Sequence, residues 1–321
     1  MIKSGFFFSA PNYRSLNAVL ELNLDSVFIP FHEAGVANLD KIRKSKPDIK
    51  INVEVPVFAG KELLEKFPDA LPVEASGLKT EKEWYAGVCP THTGVREECL
   101  RKIDSLLSLN PDGIWLDFIR YPTKWEEPNP YILDTCYCDR CLKLFSEYIG
   151  ESIVGSTLEE KALLIDGSYY IEWLEFKVNQ ITSMVKDVRE VVGKFGESVK
   201  LGIFAVPWED KEYGAGIKRI IAQDFDQLAF VVDEFSPMLY HKMCGKPVEW
   251  IKQKVDYFWN FQKPFLPLIQ TESRISEIST DEFKKSLELA SQKPSQGVCI
   301  FFLENLIKQP AKYEAAKNFF S

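Results

Sequence analysis

The sequence predicts an α/β fold, a (β/α)8 barrel in a single domain over residues 1–321. Three observations carry that expectation. Short apolar, β-prone runs alternate with helical patterns along the whole chain. The runs come to eight, the number that closes a parallel barrel. No Gly-x-Gly-x-x-Gly or P-loop follows any of them, as an open nucleotide-binding sheet would require.

Ile2–Ser9 is apolar and aromatic and forms strand one; Leu16, Val19, Leu20 and Leu22 then lie near helical spacing. Ser26–Phe31 is strand two, ending in His32-Glu33. A short helix over Ala37–Lys46 stops at Pro47. Lys50–Phe58 is strand three, with Glu54 inside its apolar run. A long loop follows from about Gly60 to Pro90, carrying Trp84 and Tyr85. Thr93–Leu109 is helical, with Val95, Cys99, Ile103, Leu106 and Leu107 on one face. Strand four is Gly113-Ile-Trp-Leu-Asp117, introduced by the turn Asn110-Pro-Asp-Gly113 and stopped by Pro122.

A second long loop leads to a helical piece at Leu142–Ile149. The longest helix spans Ser168–Phe195, where Ile171, Leu174, Val178, Ile181, Val185, Val188 and Val192 step by three and four. Lys200–Val206 is strand five and Ile217–Ala222 a helix. Strand six lies within Phe230–Tyr240 and is followed by a helix at Val248–Phe261. Pro264–Ile269 is strand seven. A helix over Asp281–Ser291 is expected to be capped by Thr280. Gly297–Leu303 is strand eight, and a last helix covers Ala311–Phe320.

Composition narrows the function. Hydrophobic residues make up 45% and charged residues 27%, ordinary for a globular enzyme. The net charge is −8 with no basic run, which argues against a nucleic-acid partner. No apolar run approaches the ~20 residues of a membrane span, and the N-terminal block lacks the pattern of a signal peptide. The expected location is cytoplasmic. A homo-oligomer is compatible with the composition, and the sequence does not set its size.

In such a barrel the C-terminal strand ends converge on one pocket. The polar and aromatic groups predicted there are His32 and Glu33, Glu54, Asp117 with Arg120 and Tyr121, Trp208 with Glu209 and Asp210, Tyr240 and His241, Glu272, and Glu304 with Asn305. Aromatic faces cover the apolar face of a sugar ring, acids and amides bind its hydroxyls, and two carboxylates can cleave a glycosidic bond. Asp117 and Glu272 are the expected catalytic pair, from strands four and seven on opposite sides of the mouth. Carboxyl groups ~5–5.5 Å apart would act with retention, and a gap of ~6.5–9.5 Å with inversion. His32, Glu54, Arg120, Tyr121, Trp208, Tyr240, His241 and Glu304 are expected to bind substrate. Glu54 has a second reading, as a partner of Arg120 inside the barrel, and Glu209 and Asp210 read more readily as a solvated loop. Strand parity puts Asp117 and Trp115 inside but Arg120 outside; a bulge near Phe118 would bring Arg120 into the mouth.

Of seven cysteines, three crowd into Cys136-Tyr-Cys138-Asp-Arg-Cys141. Short thiolate spacings suit a metal, and Cys89, just before Pro90, is the best fourth ligand. Cys99 and Cys299 read as core. Cys89-Pro90, the helix with Val95-Arg96-Glu97, the strand with Trp115, and Cys-x-Cys-x2-Cys followed by Leu142 and Phe145 together resemble family 42 β-galactosidases. The resemblance implies a (β/α)8 barrel with a structural zinc on Cys89, Cys136, Cys138 and Cys141. That family has Asn-Glu at the end of strand four, where this chain has Asp117-Phe118-Ile119-Arg120. Asp112-Gly-Ile-x-Leu-Asp117-x-Ile-Arg-Tyr-Pro122 and Pro237-Met-Leu-Tyr240 are similar to the uncharacterised family 10-like glycosyl hydrolase barrels.

The expectation is therefore a glycoside hydrolase acting on an oligo- or polysaccharide. A carbohydrate-binding barrel without catalysis is the second reading. A metal-dependent hydrolase using His32, His241 and carboxylates ranks last, because the chain has three His and no His-x-His pair.

Overall fold

The computed structural model describes residues 1–79 and 86–321; Trp84 and Tyr85 of the first long loop lie outside the described residues. Eight parallel strands form one sheet: β1 (Ile2–Phe6), β2 (Ser26–Pro30), β3 (Lys50–Pro56), β4 (Gly113–Asp117), β5 (Lys200–Ala205), β6 (Glu234–Pro237), β7 (Leu268–Gln270) and β8 (Gly297–Phe301). Their order is β6-β5-β4-β3-β2-β1-β8-β7. As expected, the first and last strands are neighbours, with Ile2 opposite Gly297 and Phe6 opposite Phe301. The remaining seam, between β6 and β7, is joined by isolated parallel bridges at Phe235–Phe265 and Met238–Leu268. The (β/α)8 barrel is thus nearly closed.

Helices cover the outside: α1 (Tyr13–Glu21), α2 (Val36–Ser45), α3 (Lys61–Lys66), α4 (Thr93–Leu107), α5 (Asp139–Ile149), α6 (Leu158–Ser168), α7 (Tyr170–Gly193), α8 (Phe225–Ala229), α9 (Trp250–Phe258), α10 (Thr280–Ala290), α11 (Leu303–Ile307) and α12 (Pro310–Phe320). The long helix begins later than its apolar stripe suggests. Tyr169 leaves helical geometry and separates α6 from α7, and Ile171, on the first turn of α7, is 59% exposed. The inward face of α7 is Trp173, Phe176, Ile181, Val185, Val188 and Val192. The cap of α10 is Ser279, whose side chain accepts from Glu282 N; Thr280 is already helical. Ile217–Ile221 is one π-helical turn.

The barrel interior is aromatic in its middle layer. Trp115 fills the axis, its ring edge-on to Phe28 and its Nε1 donating to Ser236 Oγ at 2.9 Å. The ring fits because Gly202 faces it: a Cβ there would lie 2.1 Å from Trp115. At the N-terminal face one device recurs. Asp25, Asp112 and Asp233 each precede an even strand and accept the backbone N–H of Lys3, Ile51 and Leu201 on the preceding odd strand. Each Asp backbone N–H returns a bond to the carbonyl of that same residue. Before β8 the position is Gln296.

Candidate active site

The site is built where β4 ends. Asp117 is the last residue of the strand and faces the barrel axis in register with Pro56 of β3. The chain then turns at Phe118, which takes φ +47°, a left-handed value rarely adopted by a bulky side chain. That reversal breaks the strand alternation, so Asp117 and Arg120 line the same cavity despite opposite parity. Phe118 N donates to Asp117 Oδ1 at 2.7 Å. Arg120 Nη1 donates to the carbonyl of Thr123 at 3.0 Å and fixes the loop beyond.

The cavity opens at the C-terminal mouth and holds about 640 Å³, the size of a small-ligand site. Three carboxyl groups line it: Glu54, Asp117 and Glu126. Burial raises all three. Asp117 is pushed up to about 6, against the opposing pull of the Phe118 N–H and the Arg120 guanidinium. Burial and then the neighbouring Asp117 hold Glu54 well above the usual carboxylate range. Glu126 is raised by burial first, with Arg120 opposing the shift. Glu126 Oε2 and Trp125 Nε1 are buried without a hydrogen-bond partner among the described residues. Buried polar groups left open in this way are what a polar ligand would satisfy.

One wall is aromatic. Trp125 stacks on Tyr240 at 5.9 Å between ring centroids, and Tyr240 on Phe301 at 5.0 Å. Phe6, Phe204 and Phe302 continue the lining, with His32 and Arg274 at other points. Trp125 and Glu126 sit on a flap after β4. Its limbs meet at a Lys124–Tyr131 bridge, and Thr123 Oγ1 donates to the Tyr131 carbonyl at 2.6 Å.

Of the residues expected at the mouth, His32, Glu54, Asp117, Arg120 and Tyr240 line the cavity. The others do not, each for a local reason. Glu272 is exposed, because β7 ends at Gln270 and the inward alternation stops there; Glu272 Oε1 accepts from Asn305 Nδ2 at 2.7 Å. Tyr121 follows Arg120 and turns away from the cavity, under Lys177 Nζ at 4.7 Å. Trp208 packs on Tyr213 at 4.5 Å, and neighbouring Glu209 grips the buried Lys254 at 2.9 Å. His241 is fully buried against Glu282, with Nε2 to Oε1 at 3.1 Å. Glu304, in the first turn of α11, accepts from Phe8 N at 2.9 Å. Glu126 and Trp125 were not anticipated: they lie in the loop, beyond the strand ends to which parity reasoning applies.

A second constellation lies outside the cavity lining. Cys89, Cys136, Cys138 and Cys141 bring their sulfurs within 4.8 Å of one another. Cys89 Sγ is 3.4 Å from Cys141 Sγ and 4.0 Å from Cys138 Sγ. A tetrahedron with metal–sulfur bonds near 2.3 Å has edges of about 3.8 Å, so the set fits a metal with little movement. Thr91 Oγ1 lies 3.1 Å from Cys89 Sγ and 3.2 Å from Cys141 Sγ, and Val73 N donates to Cys136 Sγ at 3.3 Å. Cys99 and Cys299 are buried elsewhere in the core. The three histidines do not converge. His32 lines the cavity, His241 lies against Glu282, and His92 caps α4. No other candidate metal group occurs among the described residues.

Known structures share this architecture. The PgaB (BpsB) glycoside hydrolase domain from Bordetella bronchiseptica superposes with a TM-score of 0.75 at 11% identity, covering 100% of this chain and 99% of that domain. A β-galactosidase from the Antarctic haloarchaeon Halorubrum lacusprofundi gives 0.71 at 12% identity, covering 99% of this chain and 57% of that one. Gan42B, a GH42 β-galactosidase from G. stearothermophilus, gives 0.69 at 13% identity in the form of a catalytic mutant, covering 99% and 57%. This chain thus spans little more than half the length of those two β-galactosidases. The (β/α)8 barrel is the fold these domains share with this chain, as the resemblance implied. No family model and no curated protein matches the sequence.

Proposed function

We propose that this protein hydrolyses a glycosidic bond in an oligo- or polysaccharide, with Asp117 and Glu126 as the working carboxyl groups. The observation that carries the reading is the convergence of Glu54, Asp117 and Glu126 with a stacked aromatic wall in one cavity at the barrel mouth. A sugar ring laid on Tyr240 and Trp125 would bury its apolar face and leave its hydroxyls to the acids. The Arg120 guanidinium favours the charged form of Asp117, which suits it to attack or stabilise a developing oxocarbenium ion. Glu126 is held toward its neutral form by burial and suits the proton donor to the leaving oxygen. Glu54, held toward its neutral form by burial, would donate a hydrogen bond to a substrate hydroxyl, and His32, also in the lining, would bind another part of the substrate. Glu272, placed outside the lining, is left with a contact to any part of the substrate that projects beyond the mouth.

Cys89, Cys136, Cys138 and Cys141 would hold a structural zinc, closed by four protein ligands and without an open position for chemistry. Seven cysteines without a disulfide suit a reducing, cytoplasmic setting. No described helix is long and apolar enough to cross a membrane.

The end of strand four, Asp117-Phe118-Ile119-Arg120, lacks the Asn-Glu pair of family 42 β-galactosidases, which favours the second reading, a carbohydrate-binding barrel without turnover. A panel of aryl glycosides separates the two. Hydrolysis by the wild type, lost in Asp117→Asn, supports the enzyme. Binding of sugars without hydrolysis of any member supports the binding barrel.

A further inference from the structure

We propose that Arg274, on the loop after β7, is the latch that holds the β4 flap over the cavity and so positions Glu126 and Trp125. This rests on the reading above that the cavity is the reacting site.

The flap is built to move or hold as a unit. Its limbs are tied to each other at Lys124–Tyr131 and Thr123–Tyr131, and its base is tied to the barrel by Arg120. Its tip, Glu126-Glu127-Pro128, needs support from outside. Two contacts supply it. Pro128 rests on Gly245, after β6, where φ is +62° and a Cβ would lie 2.8 Å from the proline ring. Arg274 Nη2 donates to the Glu126 carbonyl at 3.0 Å and pairs with Glu127 Oε1 at 2.6 Å. Only the second contact joins charges, and it is made by a side chain that itself lines the cavity. Arg274 therefore touches the flap backbone at the residue whose carboxyl oxygen is left open inside. A planar guanidinium holds two acceptors in fixed directions, which sets the orientation of the backbone carrying Glu126.

The latch acts through Glu126 and is a positioning residue. Glu126 is also faced by Asp117 and Arg120 from the end of β4, and by Tyr240 and Cys244 from the segment after β6. Among these charges Arg274, like Arg120, pulls the Glu126 carboxyl downward. Its loss would release that pull as well as the flap.

Hydrogen exchange of the full chain reads the latch without any substrate. Arg274→Ala should speed exchange of the described amides between 123 and 131 by at least ~10-fold, as local opening of a released loop does, and leave the β-strand amides as in the wild type. Glu127→Gln should give a smaller increase, because the Glu126 carbonyl contact stays. Arg274→Lys should recover part of the protection. On whichever aryl glycoside the wild type cleaves, Arg274→Ala should lower kcat more than it changes KM and move the alkaline limb of the pH profile downward, because opening the flap relieves the burial that raises Glu126, a larger effect than the lost Arg274 charge. Wild-type exchange across 123–131 in Arg274→Ala would overturn the proposal. So would an unchanged alkaline limb beside normal kcat. If the wild type cleaves no glycoside, the hydrolase reading fails, and the exchange arm still decides whether Arg274 is a latch.

Discussion

If the proposed reaction holds, Asp117 sets both activity and stability. Its carboxyl is buried and pushed up to about 6, against ~3.9 in an unfolded chain. The native state therefore holds a proton that the unfolded state releases, between about pH 4 and pH 6. Stability from this group is present below the unfolded value and is lost as pH rises through the folded one. Asp117→Asn removes that penalty. It should match the wild type near pH 4 and exceed it above pH 6 by roughly 3 kcal/mol, since one pKa unit is ~1.36 kcal/mol; denaturant midpoints at both pH values check this. Activity should move the other way. Asp117→Asn and Glu126→Gln should each reduce turnover at least ~100-fold, the lower end of acid–base contributions, and the acid limb of kcat/KM should fall near pH 6. Glu272→Gln should stay within a few-fold of wild type on substrates short enough to fit the cavity. Asp117, Arg120 and Glu54 were readable as charges interrupting apolar strands. Glu126 was not, because a carboxylate in a polar loop looks like any solvated one until the flap folds over the mouth.

Among the elements, the loop from β4 to α5 does the most. One limb carries the flap with Trp125 and Glu126, and the other carries Cys136 and Cys138 and leads into Cys141 in the first turn of α5, grouped with Cys89 of the preceding loop. The close thiol spacing made this cluster legible from sequence, since short Cys intervals have few other uses in a reducing compartment. Purified protein kept from chelators should contain close to one equivalent of zinc, and less than one tenth would reject the site. Cys141→Ser should lower stability while leaving the shape of any pH–rate profile unchanged, because the metal would be structural. The split between α6 and α7 was less legible. The apolar stripe runs through Ile171 without interruption, and only the turn at Tyr169 ends its burial. Periodicity reports which residues could face a core; it does not report where the chain leaves it.

For the molecule as a whole, eight strands could be counted from alternation alone, and their closure follows from β1 meeting β8 and from the bridged seam between β6 and β7. What the count did not show is how the interior is filled. Trp115 occupies the axis only because Gly202 leaves room on β5. Gly202→Ala should displace that ring, weaken its bond to Ser236 and cost ~1–3 kcal/mol by overpacking, measurable as a fall in the denaturant midpoint. Where a sugar sits in the barrel mouth decides whether the cavity is the reacting site. A crystal structure of the protein soaked with a monosaccharide should show the ring stacked on Tyr240 and Trp125, with its anomeric carbon between the carboxyl groups of Asp117 and Glu126. A ring bound instead at the outer rim beside Glu272 and Asn305, with the cavity holding only solvent, would contradict it.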